Sequence, residues 1–287
     1  MNVGFARADA ELFVPSGEPA ELALERTTHL GISAHQDDLE IMAAHGIFSC
    51  LGSADAHFSG LVVGDGAGSS RSGRYATLSD GELARLRRNE QRKAAFVGDY
   101  SALVQLGYPS SSVKAASGAD HDALLADLER VLLAARPSVV YTHNPADKHD
   151  THVAVMLRVV TACRRLPRDA RPEKLIGCEV WRDLDWLCDS DKVVMPLDER
   201  EGLQAALLSV FDSQISGGKR YDLATMGRRR AHATYSESHQ RDRHSALIYG
   251  MDLTPLLESD DPRGLVTALI QRFQDEVSAR LERLGAR

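Results

Sequence analysis

The sequence predicts an α/β fold, with a Rossmann-like, mostly parallel sheet and helices on both faces. Short apolar runs alternate with longer amphipathic segments from residue 28 to residue 165, which is the pattern of repeated strand–helix units. The runs are rich in β-branched residues, as expected of buried strands. Repeated units of this kind imply parallel strands joined by right-handed crossovers.

The predicted elements follow from local pattern. Apolar runs bounded by polar, glycine or proline residues predict strands at 28–34, 58–63, 102–106, 137–141, 176–181 and 192–195, with a short strand at 11–14. Apolar residues three to four positions apart predict helices at 40–51, 79–97, 120–135, 197–211, 219–235 and 264–284. A further helix begins near Asp150 or Thr151, either of which can cap it, and runs to about residue 165.

The chain is predicted to form a single α/β domain over residues 1–287, because no internal repeat, low-complexity segment or linker divides it. Residues 1–26 are predicted to form an N-terminal arm, and residues 215–287 a helical C-terminal extension. The apolar sides of the terminal helices have no evident partner within the chain. This favours self-association as a homo-oligomer.

Composition excludes several classes of protein. A net charge of −7 argues against a nucleic-acid partner, whose phosphates require a basic face. No apolar run approaches the roughly 18 residues of a transmembrane helix, and the acidic N-terminus does not resemble a secretory signal. The four cysteines show no C-x-x-C spacing, which favours free thiols in a reducing cytoplasm.

Three chemically active side chains follow the first long predicted strand: His35, Asp37 and Asp38. In open α/β sheets, ligands bind at this end of the strands. Imidazole and carboxylate groups are ligands for divalent metals such as zinc. One carboxylate of the pair can ligate while its neighbour acts as a base. Taken alone, however, the pair is more typical of a turn or a helix N-cap.

A second cluster follows the strand predicted at 137–141. Residues 143–152 contain three histidines and two aspartates. A single histidine on an apolar face is typical of a hydrogen-bonded core residue, but three of them beside carboxylates at a second strand end are not. The two clusters together predict a metal site at one edge of the sheet.

The clusters resemble the PIG-L/LmbE-type zinc-dependent N-deacetylases of N-acetylglucosaminyl compounds. The family's A-H-P-D-D-x-E motif is matched by residues 34–40, with Gln36 in place of proline. Its H-x-P-x-D-x-H-x-D-H motif is matched by His143, Pro145, Asp147, His149 and His152. Residues 87–94 fit its R-x-x-E-x-x-x-A helix and residues 211–214 fit its later S-Q element, so the resemblance covers roughly 28–214.

The resemblance implies a hydrolase that removes the N-acetyl group from an N-acetylglucosamine-type sugar or conjugate. It implies His35, Asp38 and His152 as ligands of Zn²⁺, although Fe²⁺ or Mn²⁺ also suits a site of two histidines and an aspartate. It implies Asp37 as the general base and His149 as the histidine that assists at the tetrahedral intermediate.

Four further carboxylates are implied to support these groups: Glu40, Glu90, Asp147 and Asp150. The family's aspartate just before the last ligand is Thr151 in this chain, and the nearest carboxylate lies one place earlier. This departure leaves the charge state of His149 open.

Two other stretches are candidates for binding substrate. The glycine-rich residues 64–73 lack the G-x-G-x-x-G spacing of dinucleotide sites, so we expect a mobile loop that offers Asp65 and Arg71 to the substrate. Arg87 is expected to be held by Glu90 so that it can hydrogen-bond a sugar hydroxyl or phosphate. The basic run 228–230 is typical of a solvated face, unless the substrate carries a phosphate.

Three alternatives remain open from the sequence. The same site could hydrolyse another N-acyl or amide substrate, because metal chemistry does not choose the substrate. The chain could also bind a metal or a sugar without turnover, but binding alone would not require the spare carboxylate of Asp37. A nucleotide-binding module built on residues 64–73 would require the glycine spacing that is missing.

Overall fold

The computed structural model describes residues 4–235 and 239–285. Residues 1–3 of the predicted arm, and residues 236–238 and 286–287 of the predicted extension, lie outside the described ranges. Within those ranges the strands are β1 (Glu11–Phe13), β2 (His29–Ser33), β3 (Phe58–Gly64), β4 (Leu103–Tyr108), β5 (Val139–His143), β6 (Lys174–Cys178), β7 (Lys192–Pro196) and β8 (Leu247–Asp252).

The α-helices of the same ranges are α1 (Ala20–Glu25), α2 (Asp38–Met42), α3 (Ala44–Cys50), α4 (Asp80–Val97), α5 (Ser110–Lys114), α6 (Ala119–Ala135), α7 (Asp150–Arg165), α8 (Glu201–Ser209), α9 (Asp212–Ile215), α10 (Tyr221–Ala233) and α11 (Pro262–Arg283). Ser79 caps α4 through a capping box with Glu82. None of the helices in the described part of the chain is long and apolar enough to cross a membrane.

The strands form one mixed sheet in the order β1-β4-β3-β2-β5-β6-β8-β7. The five strands from β4 to β6 are parallel to one another, whereas β1, β8 and β7 pair in antiparallel fashion. The chain runs outward from β2 to β4 in one direction and from β5 to β6 in the other. The order therefore reverses between β2 and β5, where open α/β sheets bind their ligands.

Both faces of the sheet are covered by helices, as predicted. One core lies between the sheet and the buried sides of α6 and α7, and it includes Leu30 and Ile32 of β2. The other lies between the opposite face and α2, α3, α4 and α8, and it includes Phe58 and Val62 of β3. Because the central strands are buried on both faces, most of their residues are apolar, which is why their sequence could be recognised.

Several boundaries differ from the predictions. The strand predicted at 137–141 is shifted to Val139–His143, so that His143 is its last residue. The helix predicted at 40–51 starts at Asp38 and is divided into α2 and α3 at Ala43. The helix predicted at 197–211 starts later, at Glu201.

The predicted helical extension contains a strand, β8, which the sequence analysis did not assign. It lies in the sheet between β6 and β7 and is antiparallel to both. Gly250 allows this position, because a Cβ atom there would come within 2.6 Å of a methyl carbon of Ile176. The pattern was hidden because the six-residue run carries this glycine and belongs to no strand–helix unit.

Candidate active site

The two predicted clusters meet at the carboxyl ends of β2 and β5. These strands are parallel neighbours, paired from His29 opposite Val139 to Gly31 opposite Tyr141. The chain after β2 turns into α2, so that Asp38 lies in the first helical turn. The chain after β5 leads through a loop into α7, which places His152 in its first turn.

Three donor atoms converge at this edge. Asp38 Oδ2 lies 3.3 Å from His35 Nδ1 and 3.4 Å from His152 Nε2, and the two ring nitrogens are 3.2 Å apart. Ligand bonds of about 2.0–2.1 Å to tetrahedral zinc would separate neighbouring donors by roughly 3.3 Å. The residues implied as ligands therefore fit a tetrahedral metal ion.

The hydrogen bonding of His152 supports the same interpretation. Its Nδ1 atom lies 3.2 Å from the buried carboxylate of Asp147, which is the natural acceptor for the ring proton. The Nε2 lone pair then points toward Asp38 and His35. A carboxylate that orients a ligating histidine in this way is common in zinc sites.

Burial would raise the pKa of Asp38, but the imidazoles of His152, His35 and His143 outweigh it and lower the pKa well below its usual range. Burial lowers the pKa of His35. The cluster thus offers a carboxylate beside a His35 ring whose neutral form is favoured by burial, and these are the protonation states that ligate metals.

His143 belongs to the cluster but has a different role from the ligands. Its Nε2 atom accepts a hydrogen bond of 2.9 Å from the Ala34 backbone N–H, so this lone pair is already used. Its ring stacks on His152 with centroids 3.9 Å apart. His143 therefore supports the backbone that leads into His35. The sequence analysis placed it in the motif without giving it a role, although its position as the last residue of a strand is consistent with this one.

Asp37 lies beside Asp38 but in a different environment. It is 8% exposed, and its backbone has a φ of 94°, which is uncommon for a residue other than glycine. Burial raises its pKa well above the ordinary value, although the nearby Arg87 guanidinium opposes this. The two adjacent carboxylates are thus driven in opposite directions, which is how two acids of one site acquire different roles.

The strained peptide between Gln36 and Asp37 is held at both ends by α4. Arg87 donates a hydrogen bond of 2.5 Å to the Gln36 carbonyl, and its Nη2 lies 3.4 Å from Asp37 Oδ1. Gln91, one helical turn later, accepts the Asp37 N–H through Oε1 at 3.2 Å. Tertiary contacts of this kind maintain an unfavourable backbone conformation at a functional site.

Gln91 was missed by the sequence analysis, and it also connects to Glu40. Its Nε2 donates to Glu40 Oε1 at 2.7 Å, and Tyr100 donates to the same oxygen at 2.6 Å. Burial raises the pKa of Glu40 to about 7. The signal that could have found Gln91 is its position four residues after Arg87, which places both on one side of α4.

Two of the carboxylates predicted to support the site, Glu90 and Asp150, do not contact the residues that they were expected to support. Glu90 is buried and accepts hydrogen bonds from Ser213 N and Oγ at 2.8 and 2.6 Å, and no hydrogen bond or ion pair joins it to Arg87 in the described part of the chain. Glu90 therefore connects α4 to α9 instead of holding the arginine. Asp150 is exposed at the start of α7, away from the cluster.

The glycine-rich loop contributes one of its two predicted residues to the site. Asp65 lines the central cavity. Arg71 instead donates within its own loop region, to the Leu78 carbonyl at 2.6 Å and to the Ala67 carbonyl at 3.1 Å. It does not line the cavity. Ser69 accepts from Arg87, which ties the loop to α4.

His149 stands between the cluster and the open part of the cavity. Its ring stacks on His152, with centroids 4.5 Å apart, and lies 5.9 Å from the Trp181 ring. Burial, together with the neighbouring His152 and His35, lowers the pKa of His149 to about 4. His149 is therefore neutral at pH 7. Its Nδ1 atom is buried and has no hydrogen-bond partner among the described residues.

The cavity above the cluster has a volume of about 570 Å³, which suits a small molecule. We call its outer wall the rim: Val180, Trp181, Lys219, Arg220, Tyr221 and Arg228. Lys219 Nζ lies 4.4 Å from the centre of the Trp181 ring, and Arg228 donates to the Val180 carbonyl at 2.6 Å. Two cations therefore flank an aromatic surface, a feature that the sequence analysis did not predict.

The three arginines of the basic run have three different environments. Arg228 faces the cavity. Arg229 is buried and donates to the Glu40 carbonyl at 2.7 Å, so it satisfies a backbone carbonyl of α2. Arg230 is exposed and pairs with Glu201. The run is thus a solvated face at only one of its three positions.

Comparison with known proteins yields a family-model match over part of the chain and a fold. Residues 30–163 match the family model described as PIG-L, GlcNAc-PI de-N-acetylase. No curated protein matches the chain.

Solved structures resemble the chain over most of its length. An N,N'-diacetylchitobiose deacetylase from Pyrococcus horikoshii is 15% identical with a TM-score of 0.61, covering 82% of this chain and 86% of its own. An A40926 pseudoaglycone deacetylase is 17% identical with a TM-score of 0.55, covering 79% and 97%. A 4-carboxy-2-hydroxymuconate hydratase from Pseudomonas putida KT2440 is 14% identical with a TM-score of 0.59, covering 79% and 96%. At these identities the likeness shows the fold alone.

Proposed function

We propose, from the PIG-L family domain that residues 30–163 form, that this chain is a zinc-dependent hydrolase that removes the N-acetyl group from an N-acetylglucosamine-type sugar or conjugate. The observation that carries the proposal is the convergence of three metal-ligating atoms beside a separate buried carboxylate, Asp37. A site that only bound a metal would not require that second carboxylate.

The zinc ion would be held by His35, Asp38 and His152, whose donor atoms have the spacing of a tetrahedral site. When bound, the metal supplies Lewis-acid activation of water and of the acyl carbonyl. His143 and Asp147 would keep the ligands in place through the hydrogen bonds and ring stacking that they make without a metal.

Asp37 would act as the general base and then as the general acid. It takes a proton from the attacking water and delivers it to the leaving amine nitrogen, and its raised pKa brings it closer to the working pH. Arg87 and Gln91 fix the peptide that carries it. His149 would donate a ring N–H to the developing oxyanion as a neutral imidazole, since its pKa is too low for a charged ring.

The cavity supports a sugar-sized substrate. Trp181 and Tyr221 form an aromatic corner, with ring centroids 6.0 Å apart, on which the apolar face of a pyranose can pack. Asp65 and Arg87 line the part of the cavity nearer the cluster, where they can hydrogen-bond the hydroxyl groups of the sugar. We place this reaction in the cytoplasm, because the four cysteines are free.

The proposal is tested by measuring acetate release from N-acetylglucosamine, N,N'-diacetylchitobiose and N-acetylglucosamine phosphates with metal-analysed protein. We expect release that chelation abolishes and zinc restores. The Asp37→Asn variant should lose at least about 10²-fold in kcat while it retains metal, because general acid–base catalysis contributes about 10²–10⁴-fold.

Asp55→Asn is the matched control, because Asp55 is an exposed aspartate in the loop between α3 and β3, outside the cavity lining. Bound metal without acetate release from any acetylated sugar would contradict the deacetylase proposal and favour another N-acyl substrate. Absence of metal binding would remove its premise.

A further inference from the structure

The segment that follows β6 carries the tryptophan of the rim, and a side chain of the same segment closes it into a loop. Glu179 comes directly after β6 and is only 2% exposed. Its Oε1 atom accepts a hydrogen bond of 2.5 Å from the Leu184 backbone N–H, five residues later. Leu184 is fully buried in a hydrophobic core. The Glu179 side chain therefore closes a loop that carries Trp181 at the wall of the cavity.

The same carboxylate attaches this loop to two other elements. The Nε2 atom of His232, in the last turn of α10, lies 3.0 Å from one carboxylate oxygen of Glu179 and 3.1 Å from the other. Because an ionised carboxylate only accepts hydrogen bonds, the histidine nitrogen is the donor. The Tyr249 backbone N–H of β8 donates to Glu179 Oε2 at 3.1 Å. Glu179 thus accepts hydrogen bonds from the loop, from α10 and from β8.

His232 is itself fixed in place. Its ring centre lies 4.2 Å from that of Tyr249, and the Tyr249 hydroxyl donates to the His232 carbonyl at 2.9 Å. Glu179, His232 and Tyr249 are all buried. A buried charge is costly unless it is paired and hydrogen-bonded, so a movement of the loop away from α10 would leave the carboxylate without its donors.

The backbone of the loop is also held close to Trp181. Arg228 of α10 donates to the Val180 carbonyl at 2.6 Å. The Trp181 N–H donates to Asp147 Oδ2 at 3.2 Å, and the same carboxylate oxygen lies 3.2 Å from His152 Nδ1. The loop is therefore attached to the metal-ligand cluster at Trp181 and to α10 and β8 through Glu179.

We propose that Glu179 is a positioning residue for substrate binding, which holds Trp181 in place as one wall of the sugar site. The inference rests on the proposed function, because it concerns the same cavity. Glu179 is not among the described residues that line the cavity. Its effect on the substrate therefore passes through Trp181.

The position of the Trp181 ring determines the shape of the outer cavity. Its centre lies 6.0 Å from that of Tyr221 and 5.9 Å from that of His149. A rotation of the loop would change both spacings. Because a sugar face packs against an aromatic ring only at contact distance, such a rotation would weaken substrate binding. It would leave Asp37 and the metal-ligating atoms where they are, since Glu179 contacts none of them.

The test with substrate is a double-mutant cycle, with kcat and KM for N,N'-diacetylchitobiose measured by acetate release. Glu179→Gln keeps the shape of the side chain but replaces one acceptor oxygen by an NH2 group, which would face N–H donors. We expect KM to rise about three- to tenfold, the usual worth of one aromatic contact. Because only substrate binding is affected, kcat and bound metal should be unchanged.

The second half of the cycle shows whether Glu179 acts through the tryptophan. Trp181→Ala should raise KM at least as much as Glu179→Gln does. Adding Glu179→Gln to Trp181→Ala should then raise KM no further, because the side chain that Glu179 positions is already missing. A residue that only stabilised the fold would add its effect in both backgrounds.

A spectroscopic test needs no substrate. In a Trp186→Phe background Trp181 is the single tryptophan of the sequence, and quenching of its fluorescence by acrylamide measures its exposure. The quenching constant should be higher in Glu179→Gln. Glu173→Gln is the matched control, because Glu173 is an exposed glutamate one residue before β6. It should change neither quenching nor KM.

His232 offers a second pair of variants, to be used if the melting temperature shows that Glu179→Gln does not fold. His232→Leu removes the donor to Glu179, so it should raise both KM and the quenching constant. His232→Gln retains an N–H donor in its side-chain amide and should restore most of the loss.

Unchanged quenching in folded Glu179→Gln, or in His232→Leu where that variant takes its place, would overturn the proposal. So would a KM effect of Glu179→Gln that persists in full in Trp181→Ala, because Glu179 would then not act through the tryptophan. If the unaltered protein releases no acetate, the proposed function fails, and quenching alone decides whether Glu179 positions Trp181.

Discussion

The floor and the rim of the cavity are built on different physical principles. We call the floor His35, Asp37, Asp38, His143 and His152. Apart from His35, these residues are buried, and each is fixed by protein hydrogen bonds, ion pairs or ring stacking. Four of the rim residues are partly buried, whereas Lys219 and Arg220 are exposed. The rim is held by the Lys219–Trp181 contact, by the bond from Arg228 to the Val180 carbonyl and by an Arg220–Asp222 ion pair.

The two regions also differ in where they come from in the chain. Every residue of the floor lies within the matched family range of 30–163, whereas the rim is formed by residues 180–181 and 219–228. If the proposed function is right, the residues that carry its chemistry lie within the matched range, and the residues that contact the outer part of the substrate lie outside it. The hydratase with the same fold is consistent with this separation, because a shared fold alone does not determine the reaction.

The largest effect in this comparison is expected from Asp147, which supports the floor. Asp147→Ala removes the acceptor of the His152 ring proton. Metal affinity should fall by about 10–100-fold, the usual cost of losing such a partner of a ligating histidine. Competition with a chelator of known affinity measures this.

Asp150→Ala is the control for Asp147→Ala, since Asp150 lies three residues away but is exposed. If both variants lost the same metal affinity, the loss would come from removing a negative charge near the site. The hydrogen bond between Asp147 and His152 would then not be its cause.

A smaller effect is expected where α4 holds the Asp37 peptide. Gln91→Leu leaves the Asp37 N–H without its acceptor, and an unpaired buried donor costs about 1–3 kcal/mol. Because the peptide carries the proposed base, we expect kcat to fall about tenfold or more, with metal affinity unchanged. Gln91→Glu retains an acceptor oxygen for the Asp37 N–H but, like Gln91→Leu, loses the Nε2 donor to Glu40. A smaller loss of kcat than in Gln91→Leu would therefore assign the effect to the Asp37 contact.

Metal analysis shows whether each variant still binds its metal, and single-turnover rates show whether the chemical step is slower. An unchanged kcat in Gln91→Leu would show that the strained backbone is maintained without this contact.

The smallest effect is expected at the rim. Arg228→Gln should reduce the preference for N-acetylglucosamine phosphate over N-acetylglucosamine by a few-fold, because a partly exposed ion pair contributes up to about 1 kcal/mol. The measurement is the ratio of kcat/KM for the two sugars at low and high salt. Arg230→Gln, two residues along the same helix and outside the central cavity, should leave the ratio unchanged.

Much of the floor could be predicted from the sequence because its residues are local. Residues 35–38 follow one buried strand and residues 143–152 begin at the last residue of another, and strand ends on neighbouring parallel strands must meet. The α/β fold with its mostly parallel sheet is confirmed for the same reason, and so is the resemblance to the PIG-L family.

The parts that could not be predicted depend on contacts between distant segments. Glu90 was expected to hold Arg87 because the two are three residues apart, yet Glu90 instead meets Ser213 from α9. The rim requires the loop after β6 to meet α10, and only tertiary packing sets how these elements are rotated. Strand β8 was missed because its partners lie more than 50 residues earlier in the chain.

The position of β8 has a consequence for the order in which the protein can be made. This strand is near the end of the chain, yet it occupies an inner position in the sheet, with β6 on one side and β7 on the other. While the ribosome is still adding residues before 247, the edge of β6 is therefore an open row of N–H and C=O groups, which other chains can pair with. The sheet is completed only once β8 has been synthesised, so the last step of assembly closes an exposed edge that earlier steps create.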